Sequence, residues 1–178
     1  GVHFRGSDQK KAATHPFPPT FKQVKTILDN TIKKDSKIFL VTEEKKTWEK
    51  FKYHYKENLI EFNSFRYNGD IFSIYPRKLH RYLLGYENLV NMILLSKVDH
   101  LIHSNTNFSA MSIHFAKKKI QQTIIFNGYN SNNIFLANIL WYVKTFLQER
   151  FGSFKTKIKT HLEIDEKHKS KDFSDLVK

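Results

Sequence analysis

The chain opens on Gly1-Val2-His3-Phe4-Arg5-Gly6-Ser7-Asp8, an apolar run that breaks into an imidazole, a guanidinium and a carboxylate. A short strand running into such a turn is how an α/β protein brings polar groups to the carboxyl edge of its sheet. Arg5 suits a phosphate or diphosphate, because its planar fork offers several donors to anionic oxygens at once. His3 could stack on or hydrogen-bond a base, or sit buried with a satisfied ring. Asp8 could orient Arg5 in an ion pair rather than touch a ligand. Ser104-Asn105-Thr106-Asn107 is a second polar group, placed where a helix starts. Free N–H groups and the positive end of the helix dipole favour an anion there, while Thr106 or Asn107 could equally be an ordinary N-cap. Glu87 and Asn91 lie one helical turn apart and share a face. A carboxylate or amide there could read the donor edge of a purine, and surface solvation explains the pair equally well. His80 and Arg81 at the start of the same helix could meet phosphate.

These groups must be positioned by regular elements. Val2 to Arg5 reads as the end of a strand. The prolines of His15-Pro16-Phe17-Pro18-Pro19-Thr20 exclude helix, and Thr20 is placed to cap the one that follows. Helical spacing of Phe21, Val24, Ile27, Leu28 and Ile32 predicts a helix to about Lys34. Lys37–Thr42 reads as a buried parallel strand, with Thr42 and Glu43 at its exit. A helix over 45–56 and a strand over Asn58–Phe62 follow. Asn68-Gly69-Asp70 is a turn inside a longer loop. From Arg77 to Lys97 the pattern is helical, with Leu79, Tyr82, Leu83, Tyr86, Leu89, Val90, Ile93 and Leu94 forming one apolar stripe expected to face the core. A strand over Asp99–Ser104, a helix over Asn107–Lys118, a last strand over Gln122–Asn127 and a helix over Ile134–Arg150 complete the alternation. Beyond Gly152 the chain is charged and weakly patterned, and reads as a mobile tail with at most one poorly packed helix. Strand and helix in regular alternation predict an α/β fold, a doubly wound, Rossmann-like parallel sheet covered on both faces. Ligands then sit at the carboxyl ends of the strands.

Composition narrows the function classes. The 178 residues suffice for one domain with a real core, and 40% apolar with 26% charged residues is a globular composition. No apolar run approaches the ~18 residues of a membrane span. The absence of cysteine excludes disulfides and thiolate metal sites. No His-x-x-x-His cluster suggests a metal, and no Gly-x-Gly-x-x-Gly, P-loop or Gly-x-Ser-x-Gly motif is present. A solvated, lysine-rich surface is the simplest account of the net charge of +13. An acidic membrane surface and nucleotide phosphates are further partners for it. The lysines are scattered and no RNA-binding or helix-turn-helix signature accompanies them, so nucleic acid is not an expected partner.

His3-Phe4-Arg5-Gly6-Ser7-Asp8, followed by Ala12-Ala13-Thr14-His15-Pro16, resembles the first motif of the α1,6-fucosyltransferases, a family that includes nodulation fucosyltransferases. Asn91–Asp99 running on through Ser104–Ser109 resembles their last motif, and Ile38–Glu44 matches the middle one more loosely. The grouping of Pro76-Arg77, His80-Arg81 and Glu87 is most similar to bacterial surface-polysaccharide relatives. The resemblance spans roughly residues 1 to 130. It implies the C-terminal, donor-binding half of a GT-B-like fold over residues 1–152, followed by a charged tail over 153–178. Because the sequence starts inside a strand and without methionine, a preceding acceptor domain is expected to be missing from this chain.

The activity implied is inverting, metal-independent transfer of a sugar, with GDP-fucose or another nucleotide-sugar as donor substrate, no separate cofactor, and a glycan as acceptor. Arg5 matches the arginine that holds the diphosphate, His3 a histidine near guanine, and Thr106 a serine on phosphate. N–H groups near Thr106 and Asn107 would help Arg5 stabilise the leaving charge. Three departures stand out. Gly6 replaces a second arginine. Asn91 replaces a guanine-reading aspartate. Lys11 stands where the family has a candidate catalytic glutamate, and a protonated lysine cannot take the acceptor's proton, which leaves Asp8 or His15 for that role. The expected location is cytoplasmic, peripheral to the inner face of a bacterial membrane. A non-catalytic nucleotide-sugar or glycan-binding domain, and a basic domain docking on polyanions or membrane, are the alternatives.

Overall fold

The computed structural model describes residues 1–161 apart from 7, 8, 34, 152, 153 and 155. Asp8 and the sequence beyond His161 therefore lie outside the described residues. The elements alternate as expected: β1 (Val2–His3), α1 (Phe21–Thr31), β2 (Ile38–Val41), α2 (Lys45–Tyr55), β3 (Leu59–Ile60), α3 (His80–Leu95), β4 (His100–His103), α4 (Asn107–His114), β5 (Gln121–Phe126), α5 (Ile134–Phe151) and β6 (Lys157–His161). They build one six-stranded sheet in the order β3-β2-β1-β4-β5-β6. The first five strands are parallel and β6 pairs antiparallel with β5. The order reverses between β1 and β4, which puts the topological switch point beside His3.

Alternation along the strands divides the core. Val2, Phe4, Ile38, Leu40, Ile102 and Ile125 point to one face, where Val24 and Leu28 of α1 and Phe51 and Tyr55 of α2 cover them. Phe39, Val41 and Leu101 point to the other, against Leu94 and Leu95 of α3 and Phe108 and Ile113 of α4. Thr20 caps α1 as expected: its hydroxyl accepts from Gln23 N, and the Gln23 side chain accepts from Thr20 N at 2.8 Å. Such a box satisfies two orphan donors at once.

Four expectations are corrected. First, the sheet is mostly, not wholly, parallel, because part of the presumed tail is strand. Lys157–His161 hydrogen-bonds along the open edge of β5, and Phe154 is buried with its ring 5.6 Å from Phe17. Residues 157–160 are all exposed and lysines alternate along them, so no apolar alternation marks β6 as a strand. Second, α3 starts at His80 rather than Arg77, after Leu79 in the left-handed region at φ 54°. Third, α1 ends at Thr31, where Ile32 turns extended, and α4 ends at His114, short of the lysine run at 117–119. Fourth, α3 turns five of the eight residues of its presumed core stripe outward, while Leu94 packs on the core. His80, Leu84, Asn91 and Leu95 are its buried residues, while Tyr82, Tyr86, Leu89 and Ile93 are exposed.

Candidate functional site

A cleft of about 910 Å³ lies at the carboxyl end of the sheet. It gathers six of the residues expected at the site: His3, Arg5, Thr42, Glu43, Glu87 and Asn91. β1 delivers the first two and β2 the next two. α3 delivers the last pair, because its polar face is turned inward.

His3 is 4% exposed and stacks on Phe108 with ring centroids 4.5 Å apart. Its Nδ1 lies 3.4 Å from the Thr106 hydroxyl. Burial, with help from His103 and Arg5, lowers its pKa to about 3, so the ring is neutral. His103 pairs with His3 in register on the adjacent strand. Burial also pushes its pKa down, although its Nδ1 donates to Ser104 O at 2.9 Å. Two neutral imidazoles thus stand side by side at the switch point. They can hydrogen-bond and stack but offer no charge to an anion. Arg5, half-buried in the cleft wall, supplies it.

The turn after β1 is tied to the exit of β2. Phe4 N donates to Val41 O and Gly6 N donates to Glu43 Oε1 at 3.3 Å. The Lys10 ammonium pairs with Glu44, which also accepts from the Thr47 hydroxyl at 2.6 Å. A Cβ on Gly6 would sit 2.6 Å from the Glu44 carboxyl carbon. Gly6 therefore lets the chain pass close to the Glu44 carboxylate, which Lys10 and Thr47 hold in place. Thr42 is buried, with its hydroxyl accepting from Glu44 N, and it shapes this turn rather than presenting a free donor.

Glu87 is committed on both oxygens. Oε1 pairs with Arg77 at 2.6 Å and Oε2 accepts from Phe65 N at 3.2 Å. Burial works to raise its carboxyl, but the Arg77 and Phe65 hydrogen bonds and the charges of Arg77 and His80 hold it below the usual range. Glu87 thus anchors the cleft wall rather than standing open to a purine. Asn91 is buried and donates to the Ser64 hydroxyl at 3.2 Å.

Four expected residues are not among those lining the cleft. Ser104 is buried behind it, where its carbonyl accepts from Ser109 Oγ at 2.9 Å. Thr106 is the N-cap of α4. Its hydroxyl accepts from Ser109 N and meets Ser109 Oγ and His3. That hydroxyl is engaged in the cap. Asn107 is the first residue of α4 and is exposed. His15 is exposed beside the turn after β5, where its carbonyl accepts from Asn130 N at 2.8 Å. A loop from Glu61 to Leu79 joins β3 to α3.

That loop is what the sequence reading missed. It returns over the cleft and contributes Ser64, Phe65, Asn68, Asp70, Ile71 and Phe72. Its length between β3 and α3 was the available signal, since a segment that long without elements of its own is usually functional. Phe65, Phe72, Asn88 and Asn91 give the cleft aromatic and amide groups. Lys11, Lys46 and Lys50 also line it and form no ion pair among the described residues, and the backbone N–H of Lys46 donates to Asn68 Oδ1 of the loop at 2.8 Å. No group of three or more metal-ligating side chains occurs among the described residues, and no described helix is long and apolar enough to cross a membrane. No protein-family model, curated protein or solved structure matches the chain.

Proposed function

We propose that this cleft binds a nucleotide-diphosphate sugar and that the protein is a metal-independent, inverting glycosyltransferase, with GDP-fucose the first donor to test. One observation carries the reading: a single cleft beside the switch point is lined by Arg5, Lys11, Lys46 and Lys50 together with Phe65, Phe72, Asn88 and Asn91. A nucleoside suits the exposed Phe72 ring and the exposed Asn88 amide. A diphosphate suits Arg5 and the cleft lysines.

The chemistry follows from those groups. As the bond between the sugar's anomeric carbon and the β-phosphate oxygen breaks, negative charge grows on that oxygen. Arg5 stabilises it electrostatically without a metal. An acceptor hydroxyl attacks the opposite face and gives up its proton. Glu43 lines the cleft next to the Arg5 turn, where its Oε1 accepts from Gly6 N at 3.3 Å, and is the carboxylate we assign to take that proton.

The test is a thermal-shift screen across nucleoside diphosphates and their sugar conjugates. A ligand at a hundred times its Kd adds about 2.7 kcal/mol of stability. Wild type should be stabilised and Arg5→Ala should not. Equal stabilisation of both, or of neither, refutes the assignment. Lys11 in the cleft favours a second reading, a non-catalytic nucleotide-sugar binder. Release of GDP from GDP-fucose by wild type and its loss in Glu43→Gln would exclude that reading. Tight binding without release would establish it.

A further inference from the structure

The outward side of α3 is apolar from end to end. Leu79 (66% exposed), Tyr82 (69%), Tyr86 (59%), Leu89 (45%) and Ile93 (42%) follow one another at helical spacing and carry no charge. In a sheet covered on both faces, the outer side of a covering helix normally meets water and is polar. Gly85 lies in the middle of this stripe, between Tyr82 and Leu89. Glycine weakens a helix interior relative to alanine, and nothing among the described residues requires it here: a Cβ at Gly85 would find no atom of them within 4 Å. Its φ is an ordinary helical one, so no left-handed turn explains it. A small residue centred in an apolar helical stripe lets a second helix approach closely.

We infer that α3 is a homodimer interface, in which the α3 helices of two copies cross antiparallel at Gly85. The stripe is self-complementary about that crossing. An antiparallel crossing centred between Gly85 and Tyr86 sets Tyr82 of one copy against Leu89 of the other, and Tyr86 of each against Gly85 of its partner, as a two-fold axis demands. Taking about 200 Å² for each fully exposed large side chain, α3 alone offers on the order of 600 Å² a side. Exposed Met111 and Phe115 on α4, which packs against α3, extend the apolar surface toward the roughly 800 Å² a side of a stable complex. The net charge of +13 opposes self-association at long range, but the stripe itself is uncharged. Salt that screens the repulsion therefore strengthens this dimer, whereas it would weaken binding to a polyanion. α5 also bares apolar side chains, Phe135, Ile139, Tyr142 and Phe146, but has no glycine among them.

The test is the solution mass of the whole chain by light scattering, from low to physiological salt. Wild type should run at twice the 21.2 kDa of one chain, and more fully at the higher salt. Tyr86→Glu should give monomer. Gly85→Leu should give monomer too, while Gly85→Ala weakens the dimer by about tenfold and yet leaves each monomer's thermal stability unchanged or raised. Phe135→Glu with Phe146→Glu, on α5, should leave the mass unaltered. A monomeric wild type at all salt concentrations overturns the inference. So does a dimer that survives Tyr86→Glu and Gly85→Leu, or one broken only by the α5 substitutions. A circular dichroism spectrum for each variant separates loss of dimer from loss of fold.

Discussion

Acidification should destabilise the fold through His3, by an amount the structure allows to be worked out. The ring is buried and unprotonated when folded, with a pKa near 3, against 6.5 in an unfolded chain. Above pH 6.5 both states are neutral there and the group costs nothing. Below it the unfolded chain binds a proton that the folded one refuses, so stability falls as pH falls, until the folded pKa is reached. At pH 5.5 the penalty is about 1.4 kcal/mol from this residue alone. For a chain of this size that is roughly 3–6 °C in Tm. His103, also depressed by burial, adds in the same direction. The assay is thermal or urea unfolding at pH 7.5 and pH 5.5, above the range where ordinary carboxylates titrate. The comparison that isolates His3 is His3→Phe, which keeps a ring against Phe108. Its stability should depend on pH less than wild type by about 1.4 kcal/mol over this interval. If His3→Phe keeps the full wild-type dependence, the neutral imidazole at the switch point is wrong, and with it the argument that Arg5 alone brings charge to that wall.

Other substitutions probe the frame around the cleft. Gly6→Ala should cost about 1–3 kcal/mol in urea unfolding, because the new Cβ displaces the Glu44 carboxylate from its Lys10 and Thr47 partners. Unchanged stability would mean that the turn does not need that contact. Glu87→Gln removes the partner of Arg77 and should loosen the loop from Glu61 to Leu79. Faster hydrogen exchange confined to that loop, with a loss of about 1–2 kcal/mol, is the expected readout. Phe154→Ala should cost about 3 kcal/mol, since the ring is buried on Phe17. A negligible cost would return this segment to the status of a tail. Thr20→Ala should lower stability by about 1 kcal/mol through loss of the capping box.

The parts of the fold legible from the chain are those with local causes. Ile38–Val41 is a continuous apolar run, and a strand buried on both faces needs one. Thr20 and Gln23 mark the start of α1 because the cap involves residues three apart. The polar groups at the exits of β1 and β2 could be tied to a cleft because the alternation of elements already implied where a parallel sheet binds. The inward face of α3 was not legible, since periodicity gives a stripe and not its direction. Core packing would send Tyr82, Tyr86 and Leu89 inward; the structure instead turns in Glu87 and Asn91, whose partners Arg77, Phe65 and Ser64 lie in a loop. Nor could Thr106 be assigned between cap and ligand, because that depended on whether Ser109 and His3 reached its hydroxyl.

From the amino acids alone came the order of strands and helices, the polar chemistry at their ends and the surplus of positive charge. These rest on interactions between residues a few positions apart and on simple composition. Only the tertiary structure decided which side of α3 faces the cleft, that Lys157–His161 closes the sheet edge, and that Arg5 rather than a histidine carries the charge at the switch point. Those outcomes depend on desolvation and on partners distant in sequence: His3 is neutral because β4 and α4 bury it, a fact that its neighbours Val2 and Phe4 do not encode.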